Sequence, residues 1–226
     1  MWTWIKEGGF RDVEELIIPM IQGVFGVICV HCHEQLAHHV LPLCVDCSME
    51  IPQSIRPLRF ESEYLKKVWC MAPYRSVLGS VIRRGKYAGQ RSIFDRLGYV
   101  LAGAALDLPD IDAVVSVPLP ISRKLKRGFN QSTILARHVA QLLEVSQYEI
   151  LFRIDQQEQA GKSQLERRDQ LTGRFEVRPR FDKDTVPRIV LIVDDVMTTG
   201  STAESCALEL LNVGVKEVYV LALVSG

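Results

Sequence analysis

The chain lacks an excess of charge of either sign: 27 Lys and Arg stand against 27 Asp and Glu, a formal net charge of zero. That excludes a globally basic nucleic-acid binder, though not a local basic face. Long apolar runs are also missing. The longest stretch without a charged residue or a histidine, residues 16–30, is too short to cross a bilayer comfortably and contains Pro19, Gln22, Gly23 and Gly26. Asp12, Glu14 and Glu15 precede it, where a secretory signal wants positive charge. The expectation is a cytoplasmic chain with no transmembrane segment. Its 15 Gly and 10 Pro are too few for a collagen-like or low-complexity sequence. Cysteine is scarce outside one window, since only Cys70 and Cys206 of the six lie beyond residues 29–47. In the cytoplasm such cysteines are read first as metal ligands or buried thiols, not as disulfides.

What remains is a globular composition of 226 residues, 47% hydrophobic and 8% aromatic. A chain of this size buries roughly 70% of its unfolded surface, enough for one ordinary domain and a small appendage. Four cysteines and four of the five histidines (His31, His33, His38, His39) crowd between Cys29 and Cys47. Pro52 and Pro57 suit a connector after them. Residues 1–57 are therefore expected to hold an N-terminal helix and a four-cysteine module, and residues 58–226 the main domain.

The spacing Cys29-x2-Cys32-x11-Cys44-x2-Cys47 sets two Cys-x-x-Cys knuckles a short distance apart. Two knuckles can close a tetrahedral Zn²⁺ site with no open position for water, which makes the metal structural. Redox dithiols, an Fe–S centre and a histidine in place of one thiolate are the alternatives.

From Lys67 onward, apolar runs alternate with helix-like segments. Strands are expected near residues 67–74, 113–117, 148–152, 188–193 and 218–224, and helices near 91–106, 132–143 and 202–211. This alternation predicts an α/β fold, a mostly parallel sheet flanked by helices on both faces.

The most informative segment is Val190-Leu-Ile-Val-Asp194-Asp195-Val-Met-Thr198-Thr199-Gly200-Ser201-Thr202. Apolar β-formers deliver the chain to paired carboxylates at a strand's C-terminal edge, where open α/β sheets bind ligands. A small, hydroxylated turn follows and a helix begins. Backbone N–H groups, hydroxyls and the helix N-terminus can cradle an anion there. Carboxylates beside an anion cradle suit a ligand with both hydroxyls and a phosphate, such as a ribose 5-phosphate. The bland reading is a polar turn capped by Ser201 or Thr202. A P-loop at residues 79–87 fails on spacing, and Tyr87 stands where Ser or Thr must meet Mg²⁺.

A second cluster follows Val117. Arg123, Lys124, Lys126 and Arg127 lie within five positions of a loop containing no carboxylate, suited to a pyrophosphate or a nucleic-acid backbone. Arg83, Arg84, Lys86 and Tyr87, together with Phe129, offer cations and rings for a single-stranded groove. The polar stretch 156–174 reads as a functional loop or a solvated helix with Glu158 and Lys162 paired.

The Asp194–Thr202 segment resembles the phosphoribosyl-pyrophosphate (PRPP) motif of type I phosphoribosyltransferases. Val117-Pro-Leu-Pro120, then Arg127-Gly-Phe-Asn-Gln131 with Leu135-Ala136, and Gln159-Ala-Gly161 narrow the likeness to the ComF family over essentially the whole chain. Gln170 departs from the usual Asn. The resemblance implies that Asp194 and Asp195 hold the ribose hydroxyls of Mg²⁺-bound PRPP, and that Thr198, Thr199, Gly200, Ser201 and Thr202 hold its 5-phosphate. It implies a competence role in natural transformation and DNA uptake, with single-stranded DNA and competence-machinery proteins as partners. The alternative is a catalytically active phosphoribosyltransferase, a glycosyltransferase of nucleobase salvage or nucleotide metabolism.

Overall fold

The computed structural model describes residues 27–36, 41–154, 174–177 and 186–226. The expected N-terminal helix, His38, His39 and the polar stretch 156–173, with Gln170 and the Gln159-Ala-Gly161 motif, lie outside the described residues. The chain divides into two units, Met1–Glu50 and Ile51–Gly226.

In the first unit, β1 (Val27–Ile28) and β2 (Gln35–Leu36) pair antiparallel, and α1 (Val45–Met49) follows. Cys29, Leu43, Cys44 and Cys47 are its most buried side chains. With so few apolar residues the described part of this unit has almost no core of its own.

The second unit contains β3 (Arg56–Pro57), β4 (Lys67–Pro73), α2 (Val77–Tyr87), α3 (Arg91–Ala104), β5 (Ala113–Ser116), α4 (Ile121–Arg127), α5 (Gln131–Leu142), β6 (Ser146–Tyr148), β7 (Leu151–Ile154), β8 (Arg174–Val177), β9 (Ile189–Met197), α6 (Ser201–Asn212) and β10 (Glu217–Ser225). Six strands form one sheet in the order β3-β4-β10-β9-β5-β6, parallel except for β3. The expected mostly parallel sheet is thus present. Residues 51–57, expected in the first module, instead bring β3 onto the edge of this sheet, with Arg56 opposite Cys70. The segment expected as one strand near 148–152 is divided. β6 joins the main sheet, while β7 pairs antiparallel with β8 in a separate ribbon.

The central strands are buried on both faces, as their unbroken apolar runs require. Val190 and Ile192 of β9 pack with Val218, Val220 and Ala222 of β10 against Ala203, Cys206, Ala207 and Leu210 of α6. The alternate residues, Leu191 and Val193, turn to the opposite face, where α5 packs on β5 and β9 and against α3. From β5 the chain passes through α5 to β6 on one side, and from β9 through α6 to β10 on the other. The two crossovers leave neighbouring strands in opposite directions. This is the switch point at which doubly wound sheets open a crevice at the strands' carboxyl ends.

Candidate functional site

At the crevice the two strands part company. β5 keeps register with β9 only as far as Ser116 opposite Val193, and the Val117 N–H closes the ladder on the Val193 carbonyl at 3.1 Å. β9 continues, paired on its other side through Ala222, Val224 and Ser225. Asp194 and Asp195 were expected at the strand's end. They lie inside it instead, where β5 has already turned away, and β10 supplies the ladder that carries β9 on to Met197.

Strand alternation sends the two carboxylates to opposite faces. Asp194 is half-buried on the α6 side. Its Oδ1 accepts the Ser132 hydroxyl and the Asp195 N–H, each at 2.8 Å. Burial and then the charge of Asp195 push its pKa up to about 7, against the pull of Ser132, the Asp195 N–H and Lys86. Asp195 is buried, and its Oδ2 lies 2.6 Å from Nζ of Lys86 in the last turn of α2.

Beyond Met197, Thr198 and Thr199 are exposed, and Gly200 turns the chain with φ 83°. That left-handed conformation favours glycine, and a Cβ there would collide with the Phe60 ring. Gly200 is itself the N-cap of α6 and has no side chain to cap with. The Thr199 and Ser201 hydroxyls bond each other at 2.9 Å, so neither Ser201 nor Thr202 acts as the cap. The helix therefore starts without an N-cap side chain, its first N–H, that of Ser201, reaching the Thr199 hydroxyl only at 3.5 Å, in a turn that carries Thr198, Thr199, Ser201 and Thr202.

The four cations do not sit in a loop. They form a short helix, α4, entered at Pro120 and ended by Gly128 in the left-handed conformation. At about 100° per residue they spread over roughly 160° of its surface. Ile121 and Leu125 lie on the other side, both exposed. Among the described residues none of the four cations makes an ion pair. Three of them lie in the last turn, where positive charge also offsets the helix dipole.

The other expected nucleic-acid groups separate. Phe129 is core, with its ring 5.7 Å from that of Phe94. Arg83 folds back onto Ser80 and the Tyr74 ring, and Lys86 turns inward, leaving Arg84 and Tyr87 at the surface.

In the first unit, the sulfurs of Cys29, Cys32, Cys44 and Cys47 all lie within 4.8 Å of one another. Cys32 is exposed and the others are buried. The first knuckle turns through His33, the second starts α1, and the Cys47 N–H points at Sγ of Cys44. Cys32 and Cys44 sulfurs are 3.6 Å apart, too far for a disulfide. Burial raises the Cys29 thiol, but backbone N–H groups of Cys32, Cys44 and His31 outweigh it and bring it down to about 6. Cys47 is pushed far up by burial and by the three neighbouring sulfurs. One thiolate forms readily, while Cys44 and Cys47 hold their protons more firmly. The four cysteines could hold a metal, and His31 and His33 stand outside the cluster.

No protein-family model matches the chain. Competence protein F of Haemophilus influenzae is 30% identical over 211 residues, covering 87% of this chain and 89% of that protein. The chain belongs to the ComF family. This ComF chain is also 29% identical over 221 residues to DNA utilization protein YhgH of Escherichia coli O157:H7, covering 91% and 93%. Among solved structures, adenine phosphoribosyltransferase of Trypanosoma brucei, in complex with AMP, pyrophosphate and ribose-5-phosphate, is 13% identical with a TM-score of 0.42. That match covers 76% of this chain and 75% of the other.

The geometry explains the Arg-Gly-Phe-Asn-Gln run of this ComF chain. Gly128 ends α4, Phe129 anchors in the core, and Asn130 both caps α5 and donates to the Val117 carbonyl at 2.9 Å. The motif ties the cationic helix to the end of β5 and sets Ser132 against Asp194. Sequence reading missed Ser132 and Lys86. Ser132 could have been found as the first hydroxyl after a predicted N-cap. Lys86 gave no local sign, because its partner is distant in the chain.

Proposed function

We propose that this ComF-family chain binds PRPP or a closely related phosphorylated ribose at the β9–α6 turn and serves a competence role in natural transformation and DNA uptake. One observation carries the binding reading: a half-buried carboxylate on β9, Asp194, is followed at the sheet's switch point by a hydroxyl-rich helix start whose N-cap, Gly200, has no side chain. A sugar's hydroxyls would meet Asp194 and its 5-phosphate the N–H groups and hydroxyls of residues 198–202. Mg²⁺ typically uses one or two carboxylates plus substrate phosphates. Asp194 fits as the protein's donor, and the ion would neutralise ligand charge. The cations of α4, without ion pairs among the described residues, follow β5 into the same switch-point region and suit pyrophosphate or single-stranded DNA. The competence role is supported by the similarity to Competence protein F and YhgH, and protein partners would come from the competence machinery.

The four-cysteine cluster is proposed to hold structural Zn²⁺. Zn–S bonds of about 2.3 Å in a tetrahedron put sulfurs about 3.8 Å apart, in keeping with the observed spread. Free thiols throughout the described residues suit the reducing cytoplasm.

The test is calorimetry with PRPP and Mg²⁺. Wild type should bind, and Asp194→Asn combined with Asp195→Asn should not; equal binding by the double variant rejects the site. A second reading, turnover as a phosphoribosyltransferase, is favoured by the Asp194 carboxyl, whose pKa near 7 suits proton transfer at neutral pH. Pyrophosphate release across a panel of nucleobases tests it, and silence leaves the binding role alone.

A further inference from the structure

Lys86 ends α2, the helix that follows β4, and its side chain reaches across to β9. The ammonium lies 2.6 Å from Oδ2 of Asp195, with the two side chains only 20% and 5% exposed. Taking both charges from water is costly, and an apolar pair of similar volume would serve packing at least as well. Oδ2 has no hydrogen bond of good geometry among the described residues, so what holds it to Lys86 is foremost the attraction of opposite charges. Lysine is a compact charge on a flexible stem and can leave without unmaking a directional network. Asp194 differs, because two hydrogen bonds hold its Oδ1 in place.

We propose that Lys86 is a resident counter-ion on Asp195, a latch that keeps this carboxylate from a divalent cation until the cation displaces it. The proposal rests on the phosphoribosyl reading of the same site and adds its control. With the latch closed, Asp194 is the one carboxylate of the pair without a counter-ion; with it open, the Asp195 carboxylate is freed on the opposite face of β9 and the lysine's charge is freed for an anionic ligand. Lys86 is in these terms a positioning residue that acts through Asp195.

The experiment is a Mn²⁺ titration of the full chain without PRPP, followed by electron paramagnetic resonance of the free ion. The zinc module is loaded beforehand. Wild type and Lys86→Arg, which keeps the positive charge, should bind Mn²⁺ weakly. Lys86→Met should bind at least tenfold more tightly, and Lys86→Met with Asp195→Asn should return to the weak level. If Lys86→Met fails to fold, Lys86→Gln, which keeps a donor toward Oδ2 without the charge, should show the same gain. Equal Mn²⁺ affinity in wild type and the folded neutral variant overturns the latch. A gain that survives Asp195→Asn overturns it as well. PRPP calorimetry on the same samples separates the two readings. A tenfold Mn²⁺ gain with no PRPP binding keeps the latch and rejects the phosphoribosyl site, and PRPP binding without the gain does the reverse.

Discussion

Ser132 donates its hydroxyl hydrogen to Oδ1 of Asp194 across 2.8 Å, joining the first turn of α5 to the strand that carries the phosphate-shaped turn. Asn130 places that serine by accepting its N–H at 3.1 Å while its own amide holds the Val117 carbonyl. The end of β5, the start of α5 and the rim of β9 thus form one hydrogen-bonded unit.

Ser132→Ala should therefore change the pH response of ligand binding. Asp194 must be ionised to accept two sugar hydroxyls, so PRPP affinity should rise as pH climbs through about 7 in wild type. Ser132 stabilises the ionised form, and its loss should move the midpoint upward by about one pH unit. Calorimetry between about pH 6 and pH 8.5 reads the shift.

Stability should run the other way. Asp194 keeps its proton up to about 7 when folded but only to about 3.9 when unfolded. The stabilising share of its neutral form is complete below about 4 and is lost as pH rises through about 7. Asp194→Asn should remove this slope. Urea midpoints near pH 5 and near pH 8 should differ less in the variant than in wild type.

Gly200→Ala should cost roughly 1–3 kcal/mol from backbone conformation, with the Phe60 collision added. Gly200→Ala combined with Phe60→Ala should recover only the collision part, because φ 83° remains. Chemical denaturation of the double-mutant cycle separates the two contributions.

Chelation should release about one zinc per chain and unfold the first unit while leaving the main sheet intact. The Cys29 thiol titrates near 6 before metal is bound. Loading at lower pH should therefore displace more protons and proceed with lower affinity. Metal analysis with amide exchange of both units checks this. Protection of residues 27–36 and 41–50 that persists without metal would contradict it.

Alanine at Arg123, Lys124, Lys126 and Arg127 should flatten the salt dependence of single-stranded DNA binding by roughly 0.7 for each cation that meets a phosphate. An unchanged slope would remove α4 from that interface.

The legible features were local ones. The apolar run of β9, the glycine turn and the two cysteine knuckles each reside in a few consecutive residues, and the sequence places them correctly. Contacts between distant segments were not legible. Lys86 reads as part of a surface basic cluster until α2 carries it to Asp195. Phe60 gives no sign of reaching Gly200. The extension of β9 through two aspartates runs against their low strand preference and follows from the continued pairing with β10. The helix at 121–127 was hidden because Pro118 and Pro120 mark a loop, while its apolar residues, Ile121 and Leu125, face solvent and leave no buried stripe.

The most direct measurement is a crystal structure of the chain with ribose 5-phosphate. The phosphate should lie among the N–H groups and hydroxyls of residues 198–202, with the ring hydroxyls on Asp194. Sugar bound elsewhere, or a turn left unoccupied at saturating ligand while Asp194 stays bonded only to Ser132 and its own neighbour, would contradict the assignment of this rim as the phosphoribosyl site.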